Sequence, residues 1–225
     1  MSTILVTGAG RGIGRELVDQ YSGAGWDVIA TFREMKQAER AAAQGTRCRI
    51  EQLDVSDHDS CIALAGRLEG VAIDVLFLNA GINPQHGAPL AETDYGNWAQ
   101  MFQTNVIGPS LLAHSLLANV AMSSRKIIVA MGSLAGSFGS AAPGNYLYRT
   151  SKAALHNSMR GLANDLRERG ITVAVLHPGR VRVERFPDNP VPVETSVAGL
   201  RQVIAGLDIN QSGKFIDYRG GELAW

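Results

Sequence analysis

Short apolar runs recur along the chain and alternate with segments of helical spacing. Between the first two runs, Ile13, Leu17, Val18 and Tyr21 follow a 3.6-residue period. The runs are mostly continuous rather than alternating, as in strands covered on both faces: Ile4–Thr7, Val28–Phe32, Ile50–Leu53, Ile73–Leu78, Ile127–Met131, Ile171–Leu176 and Phe215–Ile216. A second helical period follows the third run, at Ile62, Leu64, Ala65 and Leu68. This alternation predicts an α/β fold: a doubly wound parallel sheet of about seven strands with helices on both faces.

The composition indicates one globular domain over residues 1–225, because no linker divides the chain and 45% of its residues are hydrophobic. Lys and Arg total 21, as do Asp and Glu, so the net charge is zero and neither a nucleic-acid partner nor a membrane partner is expected. The first strand begins at Ile4, which leaves no room for a signal peptide. Cys48 and Cys61 form no C-x-x-C motif and are expected to be reduced thiols. We therefore expect a soluble cytoplasmic protein.

A glycine-rich loop joins the first strand to the first helix. It reads Gly8-Ala9-Gly10-Arg11-Gly12-Ile13-Gly14, or T-G-x-x-x-G-x-G when Thr7 is included. Glycines let the backbone approach a pyrophosphate, and the helix N-terminus faces it with N–H groups and a positive dipole. The loop therefore predicts dinucleotide contacts at Gly8, Arg11, Gly12, Ile13 and Gly14. The alternative is a tight turn without a ligand.

A second motif, Tyr148-Arg149-Thr150-Ser151-Lys152, predicts proton-transfer chemistry. Tyr148 and Lys152 are four residues apart, so on a helix they share one face. A phenol with a pKa of about 10 is a weak acid at neutral pH, and a nearby ammonium group lowers that pKa. Ser133, at the end of a strand, is placed to hydrogen-bond a substrate oxygen while Tyr148 moves its proton. Tyr146 is the poorer candidate because its partner four residues on is Thr150.

Three further motifs accompany these two in a characteristic order. Leu78-Asn79-Ala80-Gly81 follows the fourth strand, Asn105 opens Asn-Val-Ile-Gly, and Pro178-Gly179 ends the sixth strand. With them, the chain resembles the short-chain dehydrogenase/reductase family over essentially its whole length. Phe215-Ile216-Asp217-Tyr218 and Trp225 are similar to its C-factor/sniffer-like carbonyl reductase branch. The resemblance implies a single-domain Rossmann fold that binds a dinucleotide.

The resemblance also assigns roles to individual residues. It implies that Tyr148 is the acid/base, that Ser133 orients the carbonyl and that Lys152 also holds the nicotinamide ribose. Asn105 would complete a tetrad by holding a water in a proton relay to Lys152. The remaining implied cofactor contacts are Asp54, Val55, Asn79, Ala80, Gly81, Pro178, Gly179 and Val181.

Several of these assignments have alternatives. Asp54 would lie beside the adenine, but a capping role with Ser56 competes with that reading. The segment 79–81 is also suited simply to holding the sheet near the cofactor. Val183 stands where the family usually has a threonine that contacts the nicotinamide amide, which leaves the backbone near Val181 to hold it. No metal is expected, because the five histidines have no metal-binding spacing; they are His58, His86, His114, His156 and His177.

The predicted cofactor preference rests on two arginines. An NAD site usually has an acidic residue at the end of the second strand, whereas here Val28–Phe32 ends without one and Arg33 follows. Arg11 and Arg33 together offer charge-assisted bonds to a 2′-phosphate. We therefore expect NADP(H) to be preferred, with NAD(H) as a weaker alternative. The competing interpretation is that both are surface arginines and that Glu34 turns towards the ribose.

These features predict an NADP(H)-dependent oxidoreductase that interconverts a small-molecule carbonyl and an alcohol. The alternative from a different class is a non-catalytic dinucleotide-binding regulatory or signalling protein on the same fold. By analogy with the family, helices around residues 97–122 and 145–169 would form the interface of a homodimer or homotetramer.

Overall fold

The structure is a computed structural model that describes residues 1–43, 48–84, 86, 90–140 and 143–225. Strands and helices alternate along most of it. In chain order the elements are β1 (Thr3–Val6), α1 (Gly12–Gly23), β2 (Asp27–Phe32), α2 (Met35–Ala43), β3 (Arg49–Gln52), α3 (His58–Arg67), β4 (Val75–Leu78), α4 (Tyr95–Phe102), α5 (Gly108–Ser115), α6 (Leu117–Ala121), β5 (Ile127–Met131), α7 (Tyr146–Leu166), β6 (Thr172–His177), β7 (Val181–Arg182), β8 (Val191–Pro192), α8 (Val193–Ala205) and β9 (Phe215–Asp217). A π-helical segment, Gln103–Ile107, joins α4 to α5.

Seven strands form one parallel sheet in the order β3-β2-β1-β4-β5-β6-β9. The predicted α/β fold with a doubly wound parallel sheet is therefore confirmed. Strand β1 pairs with β2 on one side and with β4 on the other, so the winding direction reverses between β1 and β4. In such sheets the ligand crevice lies outside the carboxyl ends of the strands at this reversal. Thr7 and Asn79 follow β1 and β4 at that edge.

Two apolar layers cover the two faces of the sheet. One layer packs residues of α3, α5 and α7, such as Leu64, Leu112 and Leu155, against the strands. The other packs α1 and α8 through residues such as Leu17 and Leu200. Because both faces are covered, the central strands β1, β4, β5 and β6 are largely apolar and read as continuous runs, whereas the edge strand β3 carries three polar residues.

The structure differs from the predicted elements in local details. Ile62 was expected on the buried face of its helix but is 47% exposed; Leu64 and Leu68 are buried as predicted, and Cys61 is buried in addition. Strands β7 and β8 form a separate two-stranded parallel pair within the loop after β6, and strands of two residues carry no readable sequence pattern. Within the described ranges, no helix has both the length and the apolar character needed to span a membrane.

Candidate active site

The loops after β1 and β4 are fastened together at the edge where the winding reverses. The buried Thr7 hydroxyl accepts hydrogen bonds from the backbone N–H groups of Asn79 (2.9 Å) and Ala80 (3.0 Å). The side-chain amide of Asn79 donates in return to the carbonyl oxygens of Thr7 (2.9 Å) and Gly8 (3.4 Å). Asn79 therefore holds the glycine loop in place, which is the supporting role that the sequence left open for it.

The glycine loop has the geometry of an anion-binding helix N-terminus. Gly8 and Gly12 have positive φ values of 71° and 54°, which favour glycine. A side chain at Gly14 would approach the Gly8 carbonyl oxygen to 2.2 Å, so the first turn of α1 packs directly on the loop. Arg11 is the N-cap of α1 and makes no side-chain cap hydrogen bond. An uncapped helix N-terminus beside a tight glycine turn fits the pyrophosphate of a dinucleotide.

Two exposed arginines lie in the segments that follow β1 and β2. Arg11 precedes α1, and Arg33 directly follows β2. The Arg33 guanidinium lies 3.6 Å from the carboxylate of Glu34. The side chains of Arg33 and Glu34 are 64% and 57% exposed, so both are free to turn towards a ligand.

The turn after β3 holds Asp54 in a local interaction. The Asp54 carboxylate accepts hydrogen bonds from the Ser56 backbone N–H (2.9 Å) and hydroxyl (2.6 Å). Helix α3 itself begins with Asp57 as its N-cap. The Asp54 carboxylate thus takes part in a local interaction with Ser56, which is the structural alternative to an adenine contact. Val55 beside it is buried against α5, where Gly108 lies close to the Val55 carbonyl oxygen.

Ser133, Tyr148 and Lys152 converge beyond the end of β5. Ser133 is the N-cap of the short 3₁₀ turn Leu134–Gly136, which packs against α7. Tyr148 and Lys152 lie one turn apart on α7, and the Lys152 ammonium nitrogen is 5.7 Å from the centroid of the Tyr148 ring. The same nitrogen donates to the carbonyl oxygen of Met131, the last residue of β5, at 2.7 Å. The Ser133 side chain is near enough to Tyr148 to lower the pKa of the phenol as a hydrogen-bonding partner.

Asn105 sits in the π-helical segment and is fully buried. Its Oδ1 accepts from the Ile82 backbone N–H (2.8 Å), and its Nδ2 donates to the Ile82 carbonyl oxygen (2.9 Å) and to the Ser151 hydroxyl (3.0 Å). A Cβ placed on Gly81 would lie 3.2 Å from Asn105 Oδ1 and 3.7 Å from Lys152 Nζ. The side chains of Asn105 and Lys152 therefore both lie close to Gly81. Asn105 is also bonded directly to the backbone of the loop after β4.

Burial dominates the acid–base properties of the pair on α7. It lowers the pKa of Lys152 to about 8, because an ammonium group loses hydration there. It also raises the pKa of Tyr148, and the hydrogen bond from Ser133 opposes this only in part. The pKa of Tyr148 in this structure is therefore raised rather than lowered, because desolvation of the phenolate is the largest influence on it.

The segment after β6 turns back over the glycine loop. Pro178 is buried, and its carbonyl oxygen accepts a hydrogen bond from the Ser196 hydroxyl, with 2.7 Å between the oxygens. Gly179, which follows, packs against Tyr218. Val181 is buried within β7. The side chain of Val183 lies 3.4 Å from the position that a Cβ on Gly12 would take. The segment thus contacts the glycine loop through the apolar side chain of Val183, where the family usually has a threonine hydroxyl.

Two residues that support the site, Ser151 and His156, were not predicted from the sequence. Ser151 links Asn105 to the Tyr148 carbonyl oxygen, to which its hydroxyl donates at 2.8 Å. His156 accepts the backbone N–H of Ser133 at 3.2 Å. The four-residue spacing of Tyr148, Lys152 and His156 on one helix face was a signal that pointed to it. In the described part of the chain, no three His, Cys, Asp or Glu side chains are grouped to hold a metal ion.

Comparisons with known proteins agree with this architecture. A family model described as short chain dehydrogenase (adh_short) matches residues 2–189. C-signal of Myxococcus xanthus is 36% identical over 155 residues, which cover 68% of this chain and 93% of that protein.

Solved structures match this chain over its whole length, and two of them illustrate the similarity. A short-chain dehydrogenase/reductase of Burkholderia multivorans with bound NADP superposes with a TM-score of 0.87 and 32% identity, covering 100% of this chain and 99% of that one. Carbonyl reductase Sniffer of D. melanogaster superposes with a TM-score of 0.90 and 30% identity, covering 100% of both chains. These relatives confirm the resemblance to the carbonyl reductase branch. The chain therefore belongs to the short-chain dehydrogenase/reductase family and is an oxidoreductase.

Proposed function

We propose that this protein is an NADP(H)-dependent oxidoreductase that interconverts a carbonyl and an alcohol, with Tyr148 as the acid/base. The observation that carries the proposal is the convergence of Ser133, Tyr148 and Lys152 at the carboxyl edge of the sheet, beside the uncapped N-terminus of α1. The same crevice thus combines a place for a dinucleotide with a hydroxyl pair for a substrate oxygen. The family of the chain and its NADP-bound relative support this reading.

The side chains divide the work of reduction among them. The bound nicotinamide would supply the hydride to the carbonyl carbon. The Ser133 hydroxyl donates a hydrogen bond to the substrate oxygen, and Tyr148 transfers its proton to that oxygen as negative charge develops. Lys152 holds a positive charge 5.7 Å from the ring of Tyr148, where it stabilises the phenolate that remains. Lys152 would also hold the nicotinamide ribose.

Asn105 completes the proposed tetrad from the π-helical segment. Its side-chain amide hydrogen-bonds Ile82 and Ser151 and makes no direct bond to Lys152. Asn105 therefore fixes the loop after β4 that contains Ile82. The common approach of Asn105 and Lys152 to Gly81 supports a proton relay through a water held between them.

The proposed preference for NADP(H) over NAD(H) rests on Arg11 and Arg33. Both are exposed: Arg11 lies within the glycine loop, and Arg33 directly follows β2, which ends without an acidic residue to compete with a 2′-phosphate. The nearby carboxylate of Glu34 lies 3.6 Å from Arg33 and is the group that would favour a free ribose hydroxyl instead. A cytoplasmic location and a homodimer or homotetramer built through the helices around residues 97–122 and 145–169 belong to the same proposal.

A matched pair of tyrosine variants tests the mechanism. With a carbonyl substrate identified by NADPH consumption, Tyr148→Phe should lower kcat about 100-fold or more, since removal of an acid/base costs about 10²–10⁴ in rate. NADPH binding should stay within a few-fold, because the ring keeps its packing. Tyr146→Phe removes a hydroxyl two residues away, on a side chain that is 41% exposed, and serves as the control. Wild-type turnover by Tyr148→Phe would refute the assignment.

The non-catalytic alternative is favoured by one observation, the 36% identity to a protein named C-signal. A signalling protein on this fold would bind NADPH without turning over any carbonyl. The intact set of Asn105, Ser133, Tyr148 and Lys152 favours catalysis. A broad panel of aldehydes, ketones and quinones that gives no NADPH oxidation, despite tight NADPH binding, would favour the alternative.

A further inference from the structure

His156 extends the functional face of α7 by one more turn beyond Lys152. It is 3% exposed, and its Nε2 accepts the backbone N–H of Ser133 at 3.2 Å. This is the only hydrogen bond of the ring among the described residues, since Nδ1 is buried and has no partner there. A ring nitrogen that accepts a hydrogen bond carries no proton, so the geometry requires the neutral tautomer with its proton on Nδ1.

The neutral state of His156 is secured by its surroundings. Burial and the nearby Lys152 ammonium group, with a smaller effect of His177, lower the pKa of His156 to about 3. Nε2 therefore stays available as an acceptor at any pH at which the enzyme would be assayed. The positive charge of Lys152 thus favours the neutral form of the ring, in which Nε2 can accept the Ser133 N–H.

Aromatic side chains fix the plane of the ring. Its centroid lies 4.5 Å from that of Phe215 and 5.7 Å from that of Trp225, and these two rings stack on each other at 5.6 Å. The backbone oxygen of Trp225 also accepts the N–H of Phe138, at 3.2 Å. Residues of this cluster therefore hydrogen-bond the chain at two points: His156 at Ser133, and the backbone of Trp225 at Phe138.

The absence of a side chain at position 132 allows the close approach of the ring. A Cβ on Gly132 would lie 2.8 Å from His156 Nε2 and 2.3 Å from Cγ1 of Val175. Any larger residue would push the ring away from the Ser133 N–H. A glycine, a histidine and two aromatic residues thus combine to place one acceptor at one backbone group.

We propose that His156 is a positioning residue for catalysis: by accepting the Ser133 N–H, it fixes the backbone from which the Ser133 hydroxyl reaches Tyr148 and the substrate oxygen. This inference rests on the proposed function, in which Ser133 orients the carbonyl. Ser133 leaves β5 in an extended conformation and caps the following turn through Ala135. Rotation of its peptide would redirect the hydroxyl, and small misplacements at a reacting centre cost large factors in rate.

Two variants separate hydrogen bonding from packing. His156→Phe keeps a flat ring against Phe215 and Trp225 but removes the acceptor, whereas His156→Gln loses the ring and keeps an acceptor of similar reach. We expect His156→Phe to lower kcat about ten- to a hundredfold, with the dissociation constant of NADPH within twofold of wild type. His156→Gln should keep kcat within about threefold. Concentrations are normalised to titrated NADPH-binding sites, so that lost folding is not counted as lost turnover.

A double variant tests whether His156 acts through Ser133. In a Ser133→Ala background, His156→Phe should lower kcat less than twofold further, because the hydroxyl that it positions is gone. Multiplicative losses would overturn the proposal, as would a His156→Phe variant that turns over as fast as His156→Gln or faster.

Nitrogen-15 NMR of the wild-type protein gives a readout that needs neither folding of a variant nor activity. The proposal expects His156 to show the Nδ1–H tautomer and no titration between pH 5 and 9. An Nε2–H tautomer would overturn it, because that nitrogen could not accept the Ser133 N–H. If Tyr148→Phe proves fully active, the proposed function fails, and the NMR result still decides on the His156 contact.

Discussion

Lys152 provides a direct test of how burial controls the site. Its side chain is 3% exposed, and its nitrogen donates to the Met131 carbonyl oxygen at 2.7 Å. Burial lowers its pKa from 10.5 to about 8. Lys152→Met keeps the length of the side chain and removes the ionisable group. The variant therefore isolates the contribution of this one ammonium group to the pH dependence of stability.

The size and sign of the effect follow from proton linkage. Between pH 8 and pH 10.5 the unfolded chain holds this proton and the folded chain has lost it. The free energy of unfolding therefore rises with pH in that window. One pKa unit corresponds to about 1.4 kcal/mol, so a shift from 10.5 to about 8 corresponds to about 3 kcal/mol across the window. Below pH 8 both states are protonated, and the contribution is constant.

The assay is urea unfolding of the two proteins at intervals from pH 7 to pH 10. Relative to Lys152→Met, the free energy of unfolding of the wild type should be flat up to about pH 7.5 and then rise by about 2 kcal/mol by pH 10. The difference between the proteins removes the titration of every other group that they share. The control is Lys36→Met, which removes an exposed ammonium group on α2.

A difference between wild type and Lys152→Met that stays constant from pH 7 to pH 10 would refute the reasoning. It would mean that Lys152 exchanges its proton equally in the folded and unfolded states, so that the hydrogen bond to Met131 fully offsets the loss of hydration. A difference that falls with rising pH would mean that the folded state holds the proton more tightly, which is the opposite sign.

Two further predictions concern the cofactor and the packing of the sheet. Arg33→Ala should weaken binding of NADPH about tenfold or more and leave NADH within twofold, because a charge-assisted bond to the 2′-phosphate is worth about 1.5–3 kcal/mol; equal losses in two titrations would count against the role of Arg33. Gly108→Ala should lower stability by about 1–3 kcal/mol, because its Cβ would lie 2.0 Å from the Val55 carbonyl oxygen. Gly161→Ala, on an open face of α7, should instead leave stability unchanged or raise it by up to about 1 kcal/mol, and thermal unfolding of both variants checks the contrast.

Local sequence patterns were sufficient to predict the fold and to place two of the proposed site residues on one helix face. The continuous apolar runs predicted strands covered on both faces, and the parallel seven-stranded sheet has that form. The helical spacing of Leu17, Val18 and Tyr21 predicted a buried face of α1, and all three are buried. Tyr148 and Lys152 are placed on one helix face by a spacing that needs no tertiary information.

The same patterns could not specify the contacts between distant parts of the chain. Asn105 was assigned to the site by resemblance, but its hydrogen bonds to Ile82 and Ser151, which lie far from it along the chain, appear only in the structure. Ile62 fitted a helical period but faces solvent, because the neighbouring elements decide which side of α3 is covered.

The chain by itself determined the order of strands and helices, the glycine turn and the four-residue spacing of the proton-transfer pair, because each depends on residues close together in sequence. Only the tertiary structure decided the direction of the pKa shift at Tyr148 and the acceptor for the Ser133 N–H. Both depend on burial and on the meeting of β5 with α7, so they arise when distant segments pack and exclude water. No local pattern encodes that exclusion.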